Sequence, residues 1–405
     1  MEGKLLPRLR FAGFSEEWQN LSLKEIALKI KDGTHFSPKT FKTGEFKYLT
    51  SKNVKNGYLD FSNLEYISKV DHQKIYSSSD VKLNDILLTK DGTIGQCCVN
   101  TLDEEFSLLS SVAFIRVKND FSNYFVYQLL VSDIGQREIK KAIAGQALKR
   151  ITLSKINDFN FNYPSLPEQE KIAAYLSSID EKISLLIEKK KGLSRYKKAM
   201  MQQLFSQQIR FKDENGNDFA NWEHDRLDMV CNIVGGGTPD TSDHKYWNGE
   251  INWFTPTEIN SKYLSVSKRK ISELGLKKSS AKLLKKGTVL FTSRATIGEC
   301  GILMNDATTN QGFQSLVSIN NTYNEFLYYW TQYKKNTFLK LSSGSTFLEI
   351  SKTEMAKIIF SAPCFEEQLK IANFLAAIDE SIDKVNEQIK QTKNFKKAML
   401  QQMFV

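Results

Sequence analysis

The chain contains PEQEKIAAYLSSIDEKI at 167–183 and EEQLKIANFLAAIDESI at 366–382, and this repeat decides its organisation. The whole repeat runs from Pro164 to Phe205 and again from Pro363 to Phe404, at a constant offset of 199 residues. It has no gap, and roughly half of its positions are identical. A match of this length does not arise by chance, so the chain is predicted to consist of two related halves.

Both copies have the apolar spacing of a coiled coil. Large side chains alternate by four and three residues from Ile172 to Leu204 in the first copy, and from Ile371 to Met403 in the second. Such spacing, sustained over about five heptads, is typical of helices that pack along their whole length. We therefore predict two conserved spacer helices, over 164–207 and 363–405.

The two helices are expected to pack against each other and to run antiparallel. The first leads out of one globular segment into the next, so the second can pack on it by running back. At 1.5 Å per residue, about 38 residues span ~57 Å, and the helix pair is expected to act as a ruler between the globular segments.

The segments before the two helices match more loosely. A Thr-Ile-Gly motif at 93–95 returns at 296–298. Short strand-like runs lie between helical stretches in both segments, without the regular alternation of a doubly wound sheet. The predicted fold class is therefore mixed α/β (α+β), with two pseudo-repeated globular domains over 1–163 and 208–362.

Composition limits the class of protein. The formal charge of +10 and the basic pI of about 9.1 suggest a polyanionic partner, because clustered Lys and Arg displace counterions from phosphates. The five cysteines show no Cys-x-x-Cys spacing, which predicts reduced core residues rather than disulfides or a zinc site. No apolar run is long enough to cross a membrane or to act as a signal peptide, so we expect a cytoplasmic protein.

The motifs of catalysis are missing from the chain. No two prolines are adjacent, which excludes the Pro-Pro loop of adenine methyltransferases. The glycine run at 235–237 lacks the lysine of a phosphate-binding loop. Asp240 and Asp243-His244-Lys245 have the letters of a nuclease site, but two intervening residues leave no room for a second strand. The histidines show no metal-ligand spacing, so we assign no catalytic residue and no metal.

Polar loops recur at matching places in the two halves and predict a DNA-reading surface. Their residue types reach base edges and phosphates, with Arg favouring guanine and Gln or Asn favouring adenine, so Arg294 and Gln146 are the preferred base readers. Taken singly, each residue is better explained as part of a solvated loop, and a tight turn is the alternative explanation of the Thr-Ile-Gly motif. The predicted DNA-binding residues are Lys31, Thr34, His35, Ser51, Lys52, Asn53, Lys90, Thr93, Gln146, Lys149 and Arg150 in the first half, and Gly237, Thr238, Thr257, Ser293, Arg294, Thr296, Ser345 and Thr346 in the second.

The helical repeat is almost unchanged although the domains have diverged, which favours a second role in binding a protein partner. A plain helical hairpin that only supports the fold is the alternative. The predicted partner-binding residues are the acidic and amide positions kept in both copies: Glu168, Gln169, Asp180, Glu181, Glu367, Gln368, Asp379 and Glu380.

The two helical repeats, each preceded by a variable domain with an early tryptophan and a Thr-Ile-Gly turn, closely resemble the specificity subunits of type I restriction-modification enzymes. The resemblance covers essentially the whole chain. It implies two target-recognition domains, each reading one half of a split double-stranded DNA site, and helices that set the gap. Which base each residue reads does not transfer, because these domains vary by design.

The resemblance also implies the partners. Two modification subunits, which hold S-adenosylmethionine and methylate adenine, would assemble on the helices. Restriction subunits, which use ATP and Mg²⁺, would then join for cleavage. This chain would be noncatalytic and would bind no cofactor itself.

Two other functions remain as alternatives. The first is a coiled-coil scaffold that binds only protein, its basic charge being incidental. The second is a stand-alone methyltransferase, which the missing Pro-Pro loop disfavours. DNA binding that falls steeply with salt separates a DNA reader from a scaffold.

Overall fold

The structure is a computed structural model that describes residues 6–144, 149–294, 296–344 and 348–405. It divides into two compact units. Unit 1 comprises the chain up to Lys189 together with Val385–Val405, and unit 2 comprises Lys190–Lys384. The division falls inside the long helices rather than at the predicted domain ends, because each unit contains half of each helix.

Unit 1 contains the first set of strands and helices. The strands are β1 (Gln19–Ser22), β2 (Ala27–Asp32), β3 (Phe46–Leu49), β4 (Val54–Lys55), β5 (Tyr58–Leu59), β6 (Glu65–Ile67), β7 (Ile86–Thr89), β8 (Cys97–Val99), β9 (Ser107–Leu108), β10 (Val112–Val117) and β11 (Asn160–Tyr163). The helices are α1 (Leu23–Ile26), α2 (Lys69–Tyr76), α3 (Asn123–Val131), α4 (Asp133–Ile143) and α5 (Leu153–Asn157), and the long helix α6 (Leu166–Phe205) begins here.

The centre of unit 1 is an antiparallel four-stranded sheet in the order β2-β10-β7-β8. Strand β7 is buried throughout, because its side chains alternate between two cores. Ile86 and Leu88 pack with helices α3 and α6, whereas Leu87 packs with Phe114 on the other face. Smaller sheets, β6-β3-β9 and β4-β5, cover that second face, and β1 pairs with β11 beside the long helix.

Unit 2 repeats this arrangement with its own elements. The strands are β12 (Glu223–Arg226), β13 (Cys231–Gly235), β14 (Trp247–Phe254), β15 (Tyr263–Leu264), β16 (Arg269–Ile271), β17 (Val289–Phe291), β18 (Cys300–Leu303), β19 (Ala307–Thr309), β20 (Gln314–Ser318) and β21 (Ile359–Ala362). The helices are α7 (Leu227–Val230), α8 (Glu273–Lys277), α9 (Asn324–Tyr333), α10 (Lys335–Lys340), α11 (Lys352–Ala356) and the long α12 (Phe365–Met403). Short 3-10 turns lie at His244–Tyr246 and Pro256–Glu258.

The main sheet of unit 2 has the order β13-β20-β17-β18-β15, and a second sheet has the order β16-β14-β19. Alternation again divides the central strand between two cores. Val289 and Phe291 of β17 pack towards α9 and the long helices, whereas Leu290 packs with Phe313 and Leu303. The mixed α/β class predicted from the sequence is confirmed.

The long helices pack in antiparallel pairs within each unit. In unit 1, the start of α6 shares a core with the end of α12, and Lys396 forms an ion pair with Asp180 at 2.7 Å. In unit 2, the end of α6 shares a core with the start of α12, and Lys197 forms an ion pair with Asp379 at 2.6 Å. These pairs are equivalent under the 199-residue repeat offset. Among the described residues, no helix is both long and apolar enough to cross a membrane.

Candidate nucleic-acid interface

Backbone hydrogen bonds gather the predicted loops of unit 1 at one end of its main sheet. Thr34 N–H donates to Leu108 O at 2.8 Å, and Lys90 N–H donates to Ser111 O at 2.9 Å. Ile151 N–H donates to Lys90 O at 2.8 Å, which places the residues around 150 beside the Thr89–Thr93 turn. Loops that are far apart in the sequence therefore form one surface, which we call loop surface 1 (residues 31–36, 50–53, 89–93, 109–111 and 149–151).

Unit 2 has the same set of hydrogen bonds. Gly237 N–H donates to Thr309 O at 2.9 Å, Ser293 N–H to Gly312 O at 2.8 Å, and Ile350 N–H to Ser293 O at 3.1 Å. The resulting loop surface 2 comprises residues 235–238, 255–258, 292–294, 296, 310–312, 343–344 and 348–350. The described parts of the four matching places predicted from the sequence are thus brought together in each unit, by equivalent backbone contacts.

Sequence reasoning missed the segment that joins the other loops. Residues 109–111 in unit 1 and 310–312 in unit 2 accept or donate hydrogen bonds to two or more of the predicted loops. In unit 2 the exposed Gln311 accepts a hydrogen bond from the Thr238 hydroxyl at 2.5 Å. A polar Asn-Gln-Gly run before a strand was the available signal, and Gln311 belongs with the candidate base readers.

The Thr-Ile-Gly motif forms a tight turn in both units. The Thr89 hydroxyl donates to Thr93 O at 2.5 Å and accepts from Gln96 N–H at 2.9 Å. Thr292 makes the same two hydrogen bonds, to Thr296 O at 2.5 Å and from Glu299 N–H at 3.0 Å. The glycines at 95 and 298 both have φ of +87°, a conformation that favours glycine. The structure therefore supports the tight-turn explanation of the motif.

The predicted DNA-binding residues divide by exposure. The exposed ones are Lys31, His35, Lys52, Thr93, Lys149, Arg150, Thr257, Arg294 and Thr296, and Ser51 and Thr238 are partly exposed. Thr34, Asn53, Lys90, Gly237 and Ser293 are buried. Gln146, Ser345 and Thr346 lie outside the described residues. The exposed set is the part of the prediction that can contact a ligand directly.

The buried residues are better explained as the scaffold of the loops. Asn53 accepts from Thr50 N–H at 2.9 Å and donates to Asp60 O at 3.0 Å, which closes the turn at 50–53. Lys90 forms an ion pair with Asp32 at 2.9 Å, and both side chains are about a tenth exposed. A side chain at Gly237 would collide with Ser280, because its Cβ would lie 2.3 Å from the Ser280 hydroxyl oxygen.

Thr34 and Ser293 are held by the same backbone network. The Thr34 hydroxyl accepts from Phe36 N–H at 3.2 Å, which orders the start of loop surface 1. Ser293 is fully buried, and its hydroxyl has no hydrogen-bond partner among the described residues. Direct contact with DNA is not supported for Ser293, which is 0% exposed, and only 9% of Thr34 is accessible.

Most of the residues predicted to bind a partner form contacts within the chain. Arg10 donates to both carboxylate oxygens of Glu168 at 2.7 Å, and Glu168 is 1% exposed. In the second repeat, Arg210 donates to Glu367, which is 0% exposed, at 3.2 and 2.6 Å. The hydrogen bond to the carboxylate raises the pKa of the guanidinium in each pair, although burial acts in the opposite direction.

The glutamines that the two repeats share join each domain to its helix. Gln169 accepts from Ser122 N–H at 3.0 Å and donates to Pro164 O at 2.8 Å. Gln368 accepts from Tyr323 N–H at 2.9 Å and donates to Pro363 O at 2.9 Å. Both amides therefore join the start of a long helix to the N-terminus of α3 or α9.

The conserved aspartates join three elements in each unit. Asp180 accepts from Gln128 of α3 at 2.8 Å as well as from Lys396. Asp379 accepts from the Tyr329 hydroxyl of α9 at 2.7 Å as well as pairing with Lys197. Burial, followed by this hydrogen bond to Asp379, raises the pKa of Tyr329.

Burial argues against partner binding by Glu168, Gln169, Glu367 and Gln368, whereas the side chains of Asp180 and Asp379 are 33% and 23% exposed and their assignment stays a prediction. Their identity in the two repeats is explained by intramolecular hydrogen bonds and ion pairs. Glu181 and Glu380 are exposed, and Glu380 pairs only one turn away with Lys384 at 2.7 Å. These two remain available to a partner. In the part of the chain that the structure describes, no group of three or more His, Cys, Asp or Glu residues is placed to hold a metal ion.

Comparison with known protein families agrees with this division into repeated halves. A model described as the type I restriction modification DNA specificity domain matches residues 15–195 and 220–393. The chain belongs to this family. Each matched stretch contains one loop surface and most of one long helix.

Individual relatives have the same designation. The type I restriction enzyme MjaIX specificity subunit of Methanocaldococcus jannaschii is 35% identical over 190 residues, which are 45% of this chain and 44% of that protein. The putative type I restriction enzyme MjaX specificity subunit of the same organism is 25% identical over 396 residues, which are 93% of this chain and 91% of that protein. The chain thus spans about half of the first relative and most of the second.

A solved structure shares the fold. The type I restriction-modification S subunit from M. genitalium superposes with a TM-score of 0.60 at 16% identity, and the match covers 99% of each chain. This likeness supports the fold, and the family-model match confirms the predicted family and its role in DNA specificity. The relatives of this chain are named as specificity subunits. This agrees with a noncatalytic subunit and does not favour the scaffold alternative.

Proposed function

We propose that each loop surface of this specificity subunit reads one half of a bipartite double-stranded DNA site. The observation that carries the proposal is the contrast within the loop surfaces: the backbone hydrogen bonds are equivalent, whereas the exposed side chains differ. Loop surface 1 presents Lys31, Lys52 and Arg150, whereas loop surface 2 presents Thr257, Arg294 and Gln311. A common scaffold with unlike side chains suits two unlike half-sites.

The long helices, which belong to both units, would set the number of base pairs between the half-sites. Two modification subunits would dock on exposed parts of the helices, including Glu181 and Glu380, and would hold the S-adenosylmethionine used to methylate adenine. Restriction subunits with ATP and Mg²⁺ would join that complex. This chain would bind no cofactor.

Salt-dependent DNA binding tests the proposal. The full chain, purified with its modification subunits, should bind duplex DNA with an affinity that falls linearly on a log–log plot against salt. Replacing Lys31 and Lys52 by alanine should reduce the slope by roughly 2, because each phosphate contact contributes about 0.9. Lys31 lies at the recognition end of β2, and both lysines are exposed.

A matched control removes the same charge from the opposite end of the sheet. Lys24 and Lys118 are exposed and lie where β2 begins and β10 ends, and Lys118 donates to Glu25 O. The K24A/K118A variant should leave the slope unchanged. An assembled complex without DNA affinity at low salt would favour the scaffold alternative and would contradict the proposal.

A further inference from the structure

At one pair of facing backbone positions, an acidic residue and an arginine are exchanged between the two halves. Asp91 and Arg150 form an antiparallel bridge in loop surface 1, and Arg294 and Glu349 form an antiparallel bridge in loop surface 2. The two bridges are equivalent, because a hydrogen bond of the same kind lies beside each of them. Ile151 N–H donates to Lys90 O in unit 1, and Ile350 N–H donates to Ser293 O in unit 2. The acid precedes the arginine in unit 1, whereas the arginine precedes the acid in unit 2.

The arginine of unit 2 is held by its acidic neighbour. Arg294 Nε lies 2.8 Å from Glu349 Oε1, and the side chains are 47% and 35% exposed. Glu349 is itself fixed, because its backbone exchanges hydrogen bonds of 2.9 and 3.0 Å with Ser343. The Arg294 carbonyl also accepts from Thr296 N–H at 2.6 Å. Both members of the pair are therefore anchored through their backbones at the edge of the loop surface.

Arg294 approaches Glu349 through Nε as an ion pair, and its two terminal nitrogens carry four further N–H donors. Two of these donors match the O6 and N7 acceptors of guanine in the major groove. A carboxylate that restrains the side chain lowers the entropy lost when the guanidinium engages a base. Glu349 is suited to be a positioning residue for Arg294 rather than a residue that contacts a base.

Unit 1 presents the arginine from the other segment. Arg150 is exposed, and the facing Asp91 accepts a hydrogen bond from Gly92 N–H at 2.8 Å. Asp91 lines a cleft of about 480 Å³ together with Ser51 and Lys52. Arg150 therefore lies in the bridge equivalent to that of Arg294, but it occupies the position that Glu349 has in unit 2.

We propose that this cross-strand pair determines specificity in both halves of the DNA site. Arg294 contacts a guanine of the second half-site, positioned by Glu349, and Arg150 contacts a guanine of the first half-site. The inference rests on the proposed function, because it requires the loop surfaces to face the major groove.

The test uses the full chain with its modification subunits and a library of duplexes with randomised sequence. The preferred site of the unaltered complex is determined first, and each base pair is then varied. R294A should lose about 5- to 150-fold in discrimination at one G·C pair of the second half-site and nothing in the first. R150A should show the same loss at one G·C pair of the first half-site.

Further variants separate reading from folding. R294K keeps the charge but not the two-pronged donor, so it should lose discrimination at the same base pair while the salt slope is unchanged. E349Q should lose less at that base pair, and R294A/E349Q should be no worse than R294A, because Glu349 acts through Arg294. R226A is the matched control, since Arg226 pairs with Asp228 at 2.7 Å and lies in β12, which pairs with the strand leading into α12.

The outcomes distinguish failure of the proposed function from failure of the cross-strand inference. If the unaltered complex selects no sequence, the proposed function fails and this inference fails with it. If it selects a bipartite site but R294A and R150A discriminate normally at every position, only the cross-strand inference is overturned. Equal losses at all base pairs would also overturn it, because they indicate a phosphate contact or a folding defect.

Discussion

The helix end and the loop end of each unit differ in what the two halves share. At the long helices the same residues make the same side-chain contacts, as in Arg10–Glu168 and Arg210–Glu367. At the loop surfaces the halves share backbone hydrogen bonds, but the side chains at equivalent positions differ, so that Lys90 in unit 1 corresponds to Ser293 in unit 2. The helix end is thus held by side chains that both repeats share, whereas the loop end is held mainly by shared backbone hydrogen bonds, supplemented by side chains such as Asn53 and Lys90.

This difference explains how one architecture can accommodate two loop surfaces with unlike exposed side chains. A loop fixed by its backbone tolerates almost any exposed side chain, since the hydrogen bonds do not depend on residue type. A helix end fixed by a buried carboxylate tolerates little change, because a lost partner leaves a charge buried without compensation. Substitutions of exposed side chains are therefore expected to change stability little at the loops, whereas substitutions of the buried carboxylates should reduce stability strongly at the helices.

Lengthening the helices should have the largest effect on function. Four residues inserted after Ile187, with four at the equivalent position after Asn386, should extend each helix by ~6 Å, or close to two base pairs. The gap between half-sites should grow while both half-sites stay the same, as read from a selected duplex library. Altered half-sites with an unaltered gap would show that the helices do not set the spacing.

Loss of the buried carboxylate should have the largest effect on stability. Glu367→Ala leaves Arg210 partly buried and unpaired, and we expect a loss of about 3 kcal/mol in the free energy of unfolding. Glu168→Ala should act similarly through Arg10. Urea unfolding measures both, with Glu181→Ala as an exposed control that should change stability by less than about 0.5 kcal/mol. Equal small losses for all three would mean that these contacts do not hold the helix ends.

Replacing the aspartate between the paired helices should have a smaller effect. Asp379→Asn keeps the shape but weakens the ion pair with Lys197 and the hydrogen bond from Tyr329, for an expected loss of about 1 to 3 kcal/mol. Asp180→Asn is the equivalent change in unit 1. Each aspartate pairs with one lysine and accepts one neutral hydrogen bond, from Gln128 in unit 1 and from Tyr329 in unit 2, so the two losses should agree within about 1 kcal/mol. A loss in only one unit would break the symmetry of the comparison.

Cysteine reactivity should show the smallest effect, a difference in rate without a change in stability. Burial raises the pKa of Cys98 and Cys231 to about 12 and that of Cys300 to about 11, and it also raises the pKa of Cys97. These thiols stay protonated at neutral pH, and the protonated form is unreactive. Iodoacetamide should therefore label exposed Cys364 first in the native protein, with all five labelled after denaturation. Rapid native labelling of Cys300 would contradict its burial.

The long helices were predictable because heptad spacing and an exact repeat are local signals. Predicted bounds of 164–207 and 363–405 compare with observed helices over Leu166–Phe205 and Phe365–Met403. Their antiparallel packing followed from connectivity alone. The division into compact units did not follow, because the sequence does not show that each unit takes half of each helix.

The candidate site was only partly predictable, because residue type does not show burial. Asn53 and Lys90 have the chemistry of DNA-contacting residues, yet their partners, Asp60 and Asp32, turn them inward. Glu168 was assigned to a protein partner because both repeats share it. Its intramolecular partner, Arg10, lies 158 residues earlier in the chain, so the sequence does not show this contact. The linking segment at 109–111 follows a strand of only two residues, which is too short for a periodic signal.

The central claim is that two unlike loop surfaces read two half-sites at a fixed separation. Its most direct test is to express the chain with its modification subunit in a host without adenine methylation, and to map methyladenine across the genome by single-molecule sequencing. We predict a split motif with two different specified ends and a constant unspecified gap. A continuous motif, or no methylation from an assembled complex with a competent modification subunit, would contradict the claim.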